Sequence, residues 1–349
     1  MRAAYQRARD HLVPASVLLT LTHKCQLACA HCYQAVHDSL DLTTEEVVRL
    51  MAELEQLGTL ALTFSGGEAL VRKDLFELMA EARRRGFATT LFTNGGPVTP
   101  AVAQRLRDLR VFLVEVSLHA AHAELHDGFV GRQGSFDRAV RAVELLDDHG
   151  VPVLVKTSVT RLNAWEVAAV EQLFAARPRV RCTSDVLLHA RDDGQGTAFL
   201  RARPAQIDAW CGDRVARMPE PALRRAAAQL RVLPGEGMLE GTAPCGAGRT
   251  AAAVQPDGDV LGCTHLSSMP LGNLREKPFS EIWLSSPEAA KLRGLTLVRF
   301  EECRGCEYRH VCSKCPALSL TSTGSLTGHS LQVCERTKAF WGAVKRRAG

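Results

Sequence analysis

"VLLTLTHKCQLACAHCY" (residues 17–33) runs from a β-rich hexad straight into a loop that carries three cysteines. The first six residues, "VLLTLT", read as a strand. The thiols follow at the spacing Cys25-x3-Cys29-x2-Cys32, and the loop offers no fourth. Three closely spaced thiolates can hold zinc, hold an iron–sulfur cubane, or stay free. Structural zinc wants a closed tetrahedral shell, which His23, His31 or His37 is near enough to complete. A cubane held by three cysteines instead leaves one iron open to bind something else.

Outward from that strand the chain keeps alternating. "TTEEVVRLMAELEQLG" (43–58) opens with a Thr43-x-x-Glu46 capping box and places Val47, Leu50, Met51, Leu54 and Leu57 on one helical face. Strands are expected at 59–64, 87–92, 111–117, 151–159 and 180–188. Helices are expected at 74–85 with Asp74 as N-cap, from about Pro100, at 135–149 and at 164–176. Six strands with five intervening helices predict an α/β fold with a parallel sheet and right-handed crossovers. Six units fall short of a closed eight-stranded barrel, so an open, partial (β/α)6 barrel is expected. In such folds chemistry gathers at the C-terminal ends of the strands. Both the cysteine loop and "SGGEAL" (65–70) follow strands and so belong on that rim.

Composition narrows the class. Apolar residues make up 46% and charged residues 23% of 349, ordinary for a globular protein. No stretch approaches the roughly 20 apolar residues that span a bilayer, and the N-terminus lacks a signal-peptide pattern. A cytoplasmic enzyme with no membrane partner is expected. In a reducing compartment, 12 cysteines point to metal or catalysis rather than disulfides. The net charge of +5 is scattered, and aromatics are only 5%, which argues against nucleic-acid binding by a zinc-ribbon protein, the remote alternative.

The cysteines are unevenly placed, with seven between 245 and 334. They read Cys245-x12-Gly258-x4-Cys263, then Cys303-x2-Cys306-x5-Cys312-x2-Cys315, then Cys334. Zinc knuckles usually separate their Cys-x2-Cys pairs more widely, so this spacing favours cubane ligation. Around them only the hairpin "AAAVQPDGDVLGC" (251–263) shows regular structure. Such a segment can hardly form a large core, so metal is expected to help hold it. The organisation predicted is a barrel over 1–190, a connecting helical region over 191–242 that includes "LPGEG", and a cysteine-rich domain over 243–349.

The cysteine triplet after the first strand, with Gly66-Gly67-Glu68 after the second, resembles the radical S-adenosylmethionine superfamily over about residues 15–190. The resemblance implies that the open iron of a [4Fe–4S] cluster chelates S-adenosylmethionine, whose reductive cleavage yields a 5′-deoxyadenosyl radical that abstracts hydrogen from a substrate. It also implies cofactor contacts. Gly66 and Gly67 would permit close approach of the methionine end, and Glu68 would hold its ammonium. His31 would lie near the adenine. Ser117 would meet the ribose or carboxylate, although "SLHAA" (117–121) departs from the family's Ser-x-Asp-Gly. Lys156 and Asn163 would meet the carboxylate or substrate, or else serve as a surface lysine and a helix-capping asparagine. His119, His122 and His126 share a helical face, a pattern open to metal ligation, to substrate contact or to plain surface or hydrogen-bonded histidines.

The tail, from about 243 to 340, resembles the SPASM domain through Gly258-x4-Cys263, "LGNL", "SEIW" and "CRGCEYRHVCSKCPA". That resemblance implies two auxiliary [4Fe–4S] clusters, one on Cys245, Cys263 and Cys315 and the other on Cys303, Cys306, Cys312 and Cys334. The total would be three clusters. Cys211 or a substrate group could complete the first auxiliary cluster, while Cys182 reads as a packed apolar residue. The expected function is modification or cross-linking of a small ribosomally made peptide. A non-peptide small molecule in cofactor or natural-product assembly is the alternative, and sulfatase maturation a weaker third. An external flavodoxin- or ferredoxin-like electron donor is implied. With only 24 residues before Cys25, a separate leader-peptide-binding protein is expected to supply any grip on a leader.

Overall fold

The structure, a computed structural model, describes residues 11–34, 40–232 and 235–349. His37 and the first residues of "LPGEG" lie outside the described residues. Six parallel strands appear as expected: β1 (Ser16–Thr20), β2 (Ala61–Ser65), β3 (Ala88–Thr93), β4 (Leu113–Ser117), β5 (Val153–Ser158) and β6 (Val180–Asp185). Each is hydrogen-bonded to the next in sequence order, forming the open, barrel-like parallel sheet. Alternate residues such as Val17, Leu19, Leu62, Phe64, Leu91, Val114 and Val155 are sealed into the core against the helices. The opposite face, which includes Phe92, Glu115, Ser117 and Lys156, stays partly open.

Helix α1 (Thr44–Gln56) carries the expected capping box, with the Glu46 N–H on Thr43 Oγ1 at 3.2 Å and the Thr43 N–H on Glu46 at 2.7 Å. Helix α2 (Leu75–Arg84) corrects one expectation, because Asp74 stands at the N-cap position without capping. Its carboxylate is taken by the Arg72 guanidinium at 2.7 and 2.9 Å and by the Thr44 hydroxyl at 2.6 Å. Arg72 also donates to the Leu21 carbonyl at 2.9 Å, so this pair ties the loop after β2 to the end of β1. Helices α3 (Pro100–Asp108), α4 (Ala123–Val130), α5 (Ser135–Asp148) and α6 (Val167–Leu173) complete the crossovers, and α4 is additional to those expected.

Beyond β6 come α7 (Pro204–Ala216), α8 (Glu220–Arg231), α9 (Glu236–Glu240), the strands β7 (Ala251–Val254), β8 (Asp259–Leu261) and β9 (Gly272–Asn273), then α10 (Phe279–Ser285), α11 (Pro287–Arg293), α12 (Pro316–Thr323) and α13 (Leu331–Ala348). The hairpin does not stand apart. β7 lies parallel on β1, pairing Ser16 with Ala251 and Leu19 with Val254, so the sheet runs β6-β5-β4-β3-β2-β1-β7-β8-β9.

Two further expectations are corrected here. The cysteine-rich segment does contribute to a large core: Phe279, Ile282, Trp283, Ala289 and Leu292 share one apolar cluster with the barrel's Leu50, Met51 and Leu54. The 191–242 region is more than a connection. Ile207, Trp210 and Cys211 on α7 pack with Ala339 on α13, and Val215 and Leu223 pack with Ala343 and Val344. None of the described helices is long and apolar enough to cross a membrane.

Candidate active site and cluster ligands

The cysteine loop leaves β1 and is fastened on three sides. Toward β2, the Gly67 N–H donates to the Thr22 carbonyl at 2.8 Å and the Glu68 N–H to the Lys24 carbonyl at 2.9 Å. Toward β3, Gln26 donates to Asn94 Oδ1 at 2.9 Å, and Asn94 Nδ2 lies 3.7 Å from Cys25 Sγ. Toward α4, the Ala28 and Ala30 N–H groups donate to the Val130 and Phe129 carbonyls at 3.0 Å. Helix α4 is therefore part of the site. Its sequence signal was "AELHDGFVG", a short apolar face closed by Gly131 in the left-handed region at φ 69°.

The two glycines are required first by this loop. A Cβ on Gly66 would sit 2.8 Å from the Thr22 carbonyl oxygen, and one on Gly67 would sit 2.6 Å from both the His23 and Lys24 oxygens. Glu68 lies between β2 and β3, only 1% exposed. Its carboxylate accepts from the Leu70 N–H at 3.0 Å, the Asn94 N–H at 2.8 Å and the Thr93 hydroxyl at 3.0 Å. Burial nonetheless outweighs these donors and lifts its pKa to about 7.

That shift has a direction that can be measured. A carboxyl raised from 4.5 to about 7 stabilises the fold most below its unfolded value, and that contribution is lost as pH climbs through neutrality, roughly 3 kcal/mol in all. In iron-free protein, Glu68→Gln does not titrate here. The stability difference between wild type and variant should therefore shift in the variant's favour between about pH 4.5 and 7.5, read by urea unfolding at fixed temperature. A difference flat in pH refutes the buried, reluctant carboxylate.

The thiols lie in partly buried surroundings that raise the pKa of most of them. Burial raises Cys25 and Cys32 and lifts Cys29 to about 12, with neighbouring thiols adding to the cost at Cys25 and Cys29. Cys263 feels both Cys315 and Cys245. Cys303, Cys306, Cys312 and Cys334 line one cavity with Phe300, Tyr308 and Val333, and Cys315 reaches its wall. Against burial, backbone N–H groups hold several of these thiols down: Leu27 on Cys25, Gln34 on Cys32, Ala247 on Cys245, His265 on Cys263, and Ala317 and Leu318 on Cys315. Donors of this kind suit a thiolate, and a bound cation deprotonates a coordinating thiol outright. The donor set thus fits iron–sulfur clusters.

Two thiols stand apart. Burial pushes Cys182, packed at the core's edge, up to about 11, with Glu171 adding to it. Cys211, fully buried on α7, is pushed up to about 12 by burial and leans on the Arg336 carbonyl at 3.9 Å. The charged groups that reach Cys211 are Arg214, Arg336, Asp208 and Asp185, and of these Arg336 and Asp185 also reach Cys315.

The cofactor contacts expected from sequence divide. Ser117 pairs across the sheet with Lys156, on the open face. Lys156 Nζ lies 3.0 Å from Glu115 Oε1 and 5.4 Å from the centre of the Phe92 ring. The sequence reading missed Glu115, because its partner lies one strand away. His31 turns toward the protein, its ring stacked on Phe129 at 4.8 Å and edge-on to His119 at 4.6 Å, and burial lowers its pKa to about 4.

Asn163 is a correction. It is fully buried, its Nδ2 donating to the His119 and Ser158 carbonyls at 2.7 and 2.9 Å and its Oδ1 accepting from the Thr160 N–H and hydroxyl at 2.7 and 2.8 Å. An asparagine amide has nothing left after two donations and two acceptances, so Asn163 sets the loop after β5 rather than meeting a ligand. The three histidines also separate. His122 is turned outward onto Glu166 at 2.8 Å, while His119 and His126 are buried, the His119 N–H donating to His126 Nδ1 at 3.1 Å. Among the described residues, no three His, Cys, Asp or Glu side chains meet as ligands of a single metal ion would.

An open parallel sheet with a three-thiol loop on its C-terminal rim and a second, cysteine-rich region docked on β1 defines a cluster-dependent enzyme. The Radical SAM superfamily model matches residues 19–170, and the SPASM model, an iron–sulfur cluster-binding domain, matches 245–316. The mycofactocin maturase MftC of Mycolicibacterium smegmatis is 30% identical over 86% of this chain and 79% of its own. The AdoMet-dependent heme synthase of Methanosarcina barkeri is 29% identical over 89% of this chain and 93% of its own. The solved structure titled native anSMEcpe with bound AdoMet shares the fold, with a TM-score of 0.72 at 20% identity over 95% of this chain and 97% of that one. The chain belongs to the radical SAM superfamily and carries a SPASM domain.

Proposed function

We propose that this enzyme holds three [4Fe–4S] clusters, the first on Cys25, Cys29 and Cys32, and modifies or cross-links a ribosomally made peptide after reductive cleavage of S-adenosylmethionine. What supports the reading is the mutual electrostatic reach of Cys25, Cys29 and Cys32, of Cys245, Cys263 and Cys315, and of Cys303, Cys306, Cys312 and Cys334, several of them with backbone N–H donors. When bound, the cluster and nucleoside supply an electron and a primary carbon radical. The chain's own residues do the positioning. Gly66 and Gly67 let the rim of β2 press against the loop, Glu68 and Asn94 brace it from behind, and Ser117 and Lys156 present a hydroxyl and a cation on the open face. Closing a bond on a substrate radical leaves one electron over, and the thiols of Cys245, Cys263 and Cys315 would hold the group that takes it.

The peptide substrate rests on the likeness to MftC, a maturase by name, at 30–31% identity in two mycobacterial relatives. A second reading, a carboxylate-bearing small molecule such as a porphyrin, is favoured by the heme synthase and Fe-coproporphyrin III synthase relatives at 29% identity, and the Lys156 ammonium suits such a group. An external flavodoxin- or ferredoxin-like donor completes either scheme, and a leader-binding partner belongs to the first. The test is anaerobic turnover of iron-loaded protein with S-adenosylmethionine and a reductant, reading 5′-deoxyadenosine by chromatography. A peptide encoded beside the gene should raise its yield above background by at least about tenfold and emerge lighter by lost hydrogen. Stimulation by a porphyrin and by no peptide overturns the peptide reading in favour of the second, and no 5′-deoxyadenosine at all overturns both.

A further inference from the structure

The cavity lined by Cys303, Cys306, Cys312 and Cys334 has two lysines in its wall and, among the described residues, no aspartate or glutamate. Lys314 stands between Cys312 and Cys315 in sequence, and Lys338 lies one helical turn beyond Cys334 on α13. Lys338 is exposed, and its charge favours the Cys334 thiolate. Lys314 is only 6% exposed. Its ammonium lies 5.1 Å from the centre of the Phe300 ring and, among the described residues, makes no hydrogen bond or ion pair.

Lysine is almost never buried this deeply without a partner. Taking an ammonium out of water with no counter-charge is strongly unfavourable, and the face of one phenylalanine ring returns only a small part of that cost. The nearest acids along the chain are engaged elsewhere, Glu307 by Lys345 and Glu335 by Arg201. What shares the cavity with Lys314 is the set of four thiols. Thr337 Oγ1, 3.3 Å from Cys312 Sγ, adds a polar contact to the same set. A cubane ligated by four thiolates is a net anion, more negative by one charge when reduced, and so supplies the counter-charge that the protein alone does not.

We infer that Lys314 is the counter-charge of the outer auxiliary cluster, held on Cys303, Cys306, Cys312 and Cys334, and that its buried ammonium raises the reduction potential of that cluster. The inference rests on the cluster reading proposed above. A fixed cation in a dry, weakly polarisable surrounding stabilises the added charge of the reduced state far more than a solvated one does. Lys338, at the rim, acts through water and contributes less. Cys315, a thiol of the inner auxiliary site, reaches the wall of the same cavity. The electron that bond closure leaves on the inner cluster therefore has a ready acceptor beside it.

The test is a potentiometric titration followed by electron paramagnetic resonance on anaerobically reconstituted full-length protein. The outer cluster is identified as the signal that Cys306→Ala abolishes. Lys314→Met keeps the apolar stem and removes the charge. It should disfavour reduction of that cluster by at least about tenfold, near 59 mV for one electron, with Lys314→Arg staying close to wild type and Lys338→Met shifting it less, in the same direction. A wild-type potential in Lys314→Met at full iron content overturns the inference and leaves Lys314 to water. If Lys314→Met loads less iron, Lys314→Gln decides: a lowered potential supports the counter-charge, an unchanged one ends it. Loss of the outer signal in both, with Lys314→Arg fully loaded, also supports it, whereas loss in all three makes shape rather than charge the requirement and overturns it. If Cys306→Ala abolishes no signal and costs no iron, the cluster reading fails and the counter-charge fails with it.

Discussion

Cys29→Ala is expected to lose about four irons per chain and at least about a thousandfold of the reductive cleavage of S-adenosylmethionine, some 4 kcal/mol of barrier. Cys29 is the most deeply committed of the three loop thiols. Burial and the two thiols beside it lift it to about 12, so without a cation it stays protonated. The loop around it has no slack from which to recruit a replacement, since Ala28 and Ala30 on either side are bonded to the end of α4. His31 is the nearest alternative donor, but its ring is held between Phe129 and His119. Cys211→Ala is the matched control. It removes a thiol more deeply buried than Cys29, on a helix away from the loop, and should leave iron content and 5′-deoxyadenosine formation unchanged while lowering stability modestly. The measurements are colorimetric iron, chromatographic 5′-deoxyadenosine under a chemical reductant, and thermal unfolding. Full iron and full cleavage in Cys29→Ala would remove this loop from the chemistry.

What the sequence makes legible depends on distance along the chain. The Thr43–Glu46 box, the Pro100 helix start and the six strands rest on residues within a few positions of one another, and the structure has them all. Asp74 fails as a cap for the same kind of reason that Glu115 goes unseen. Each is claimed by a partner that propensity cannot find, Arg72 and Thr44 for the first, Lys156 on the next strand for the second. Asn163 has the composition of a ligand contact, and only the folded loop reveals that all its hydrogen bonds are already made. The core of the cysteine-rich region was hidden because its apolar residues are dispersed in short helices. Phe279 and Trp283 on α10 find their burial against α1 and the strands, more than two hundred residues earlier, and Trp283 Nε1 donates to the Leu12 carbonyl. The Cys25-x3-Cys29-x2-Cys32 triplet was legible because its three thiols lie within eight residues. The Tyr33–His265 ring contact was not, since it joins positions 33 and 265 through space.

Gly67→Ala should be nearly as damaging as loss of a cluster thiol, although it adds only a single methyl group. The added carbon would lie 2.6 Å from the His23 and Lys24 carbonyl oxygens and 2.8 Å from Cys25 Cβ, and backbone cannot yield as a flexible side chain would. Relief requires the 22–25 segment to move away from β2, which stretches the Gly67 N–H bond to Thr22 and the Glu68 N–H bond to Lys24. Overpacking of this kind costs about 1–3 kcal/mol, and two strained hydrogen bonds add about 1 kcal/mol each. Cys25 is moved in the process, so the first cluster site should fill poorly even at temperatures where the chain stays folded. The outcome expected is a melting temperature lowered by several degrees, iron content short by about one cubane, and weaker binding of S-adenosylmethionine, read by equilibrium dialysis. Gly212→Ala on α7 is the contrasting case. An added Cβ there meets nothing within 4 Å, so stability should rise slightly, by up to about 1 kcal/mol. A Gly67→Ala protein with full iron and unchanged nucleoside affinity would mean that the loop tolerates displacement and that its packing against β2 does not position the cluster.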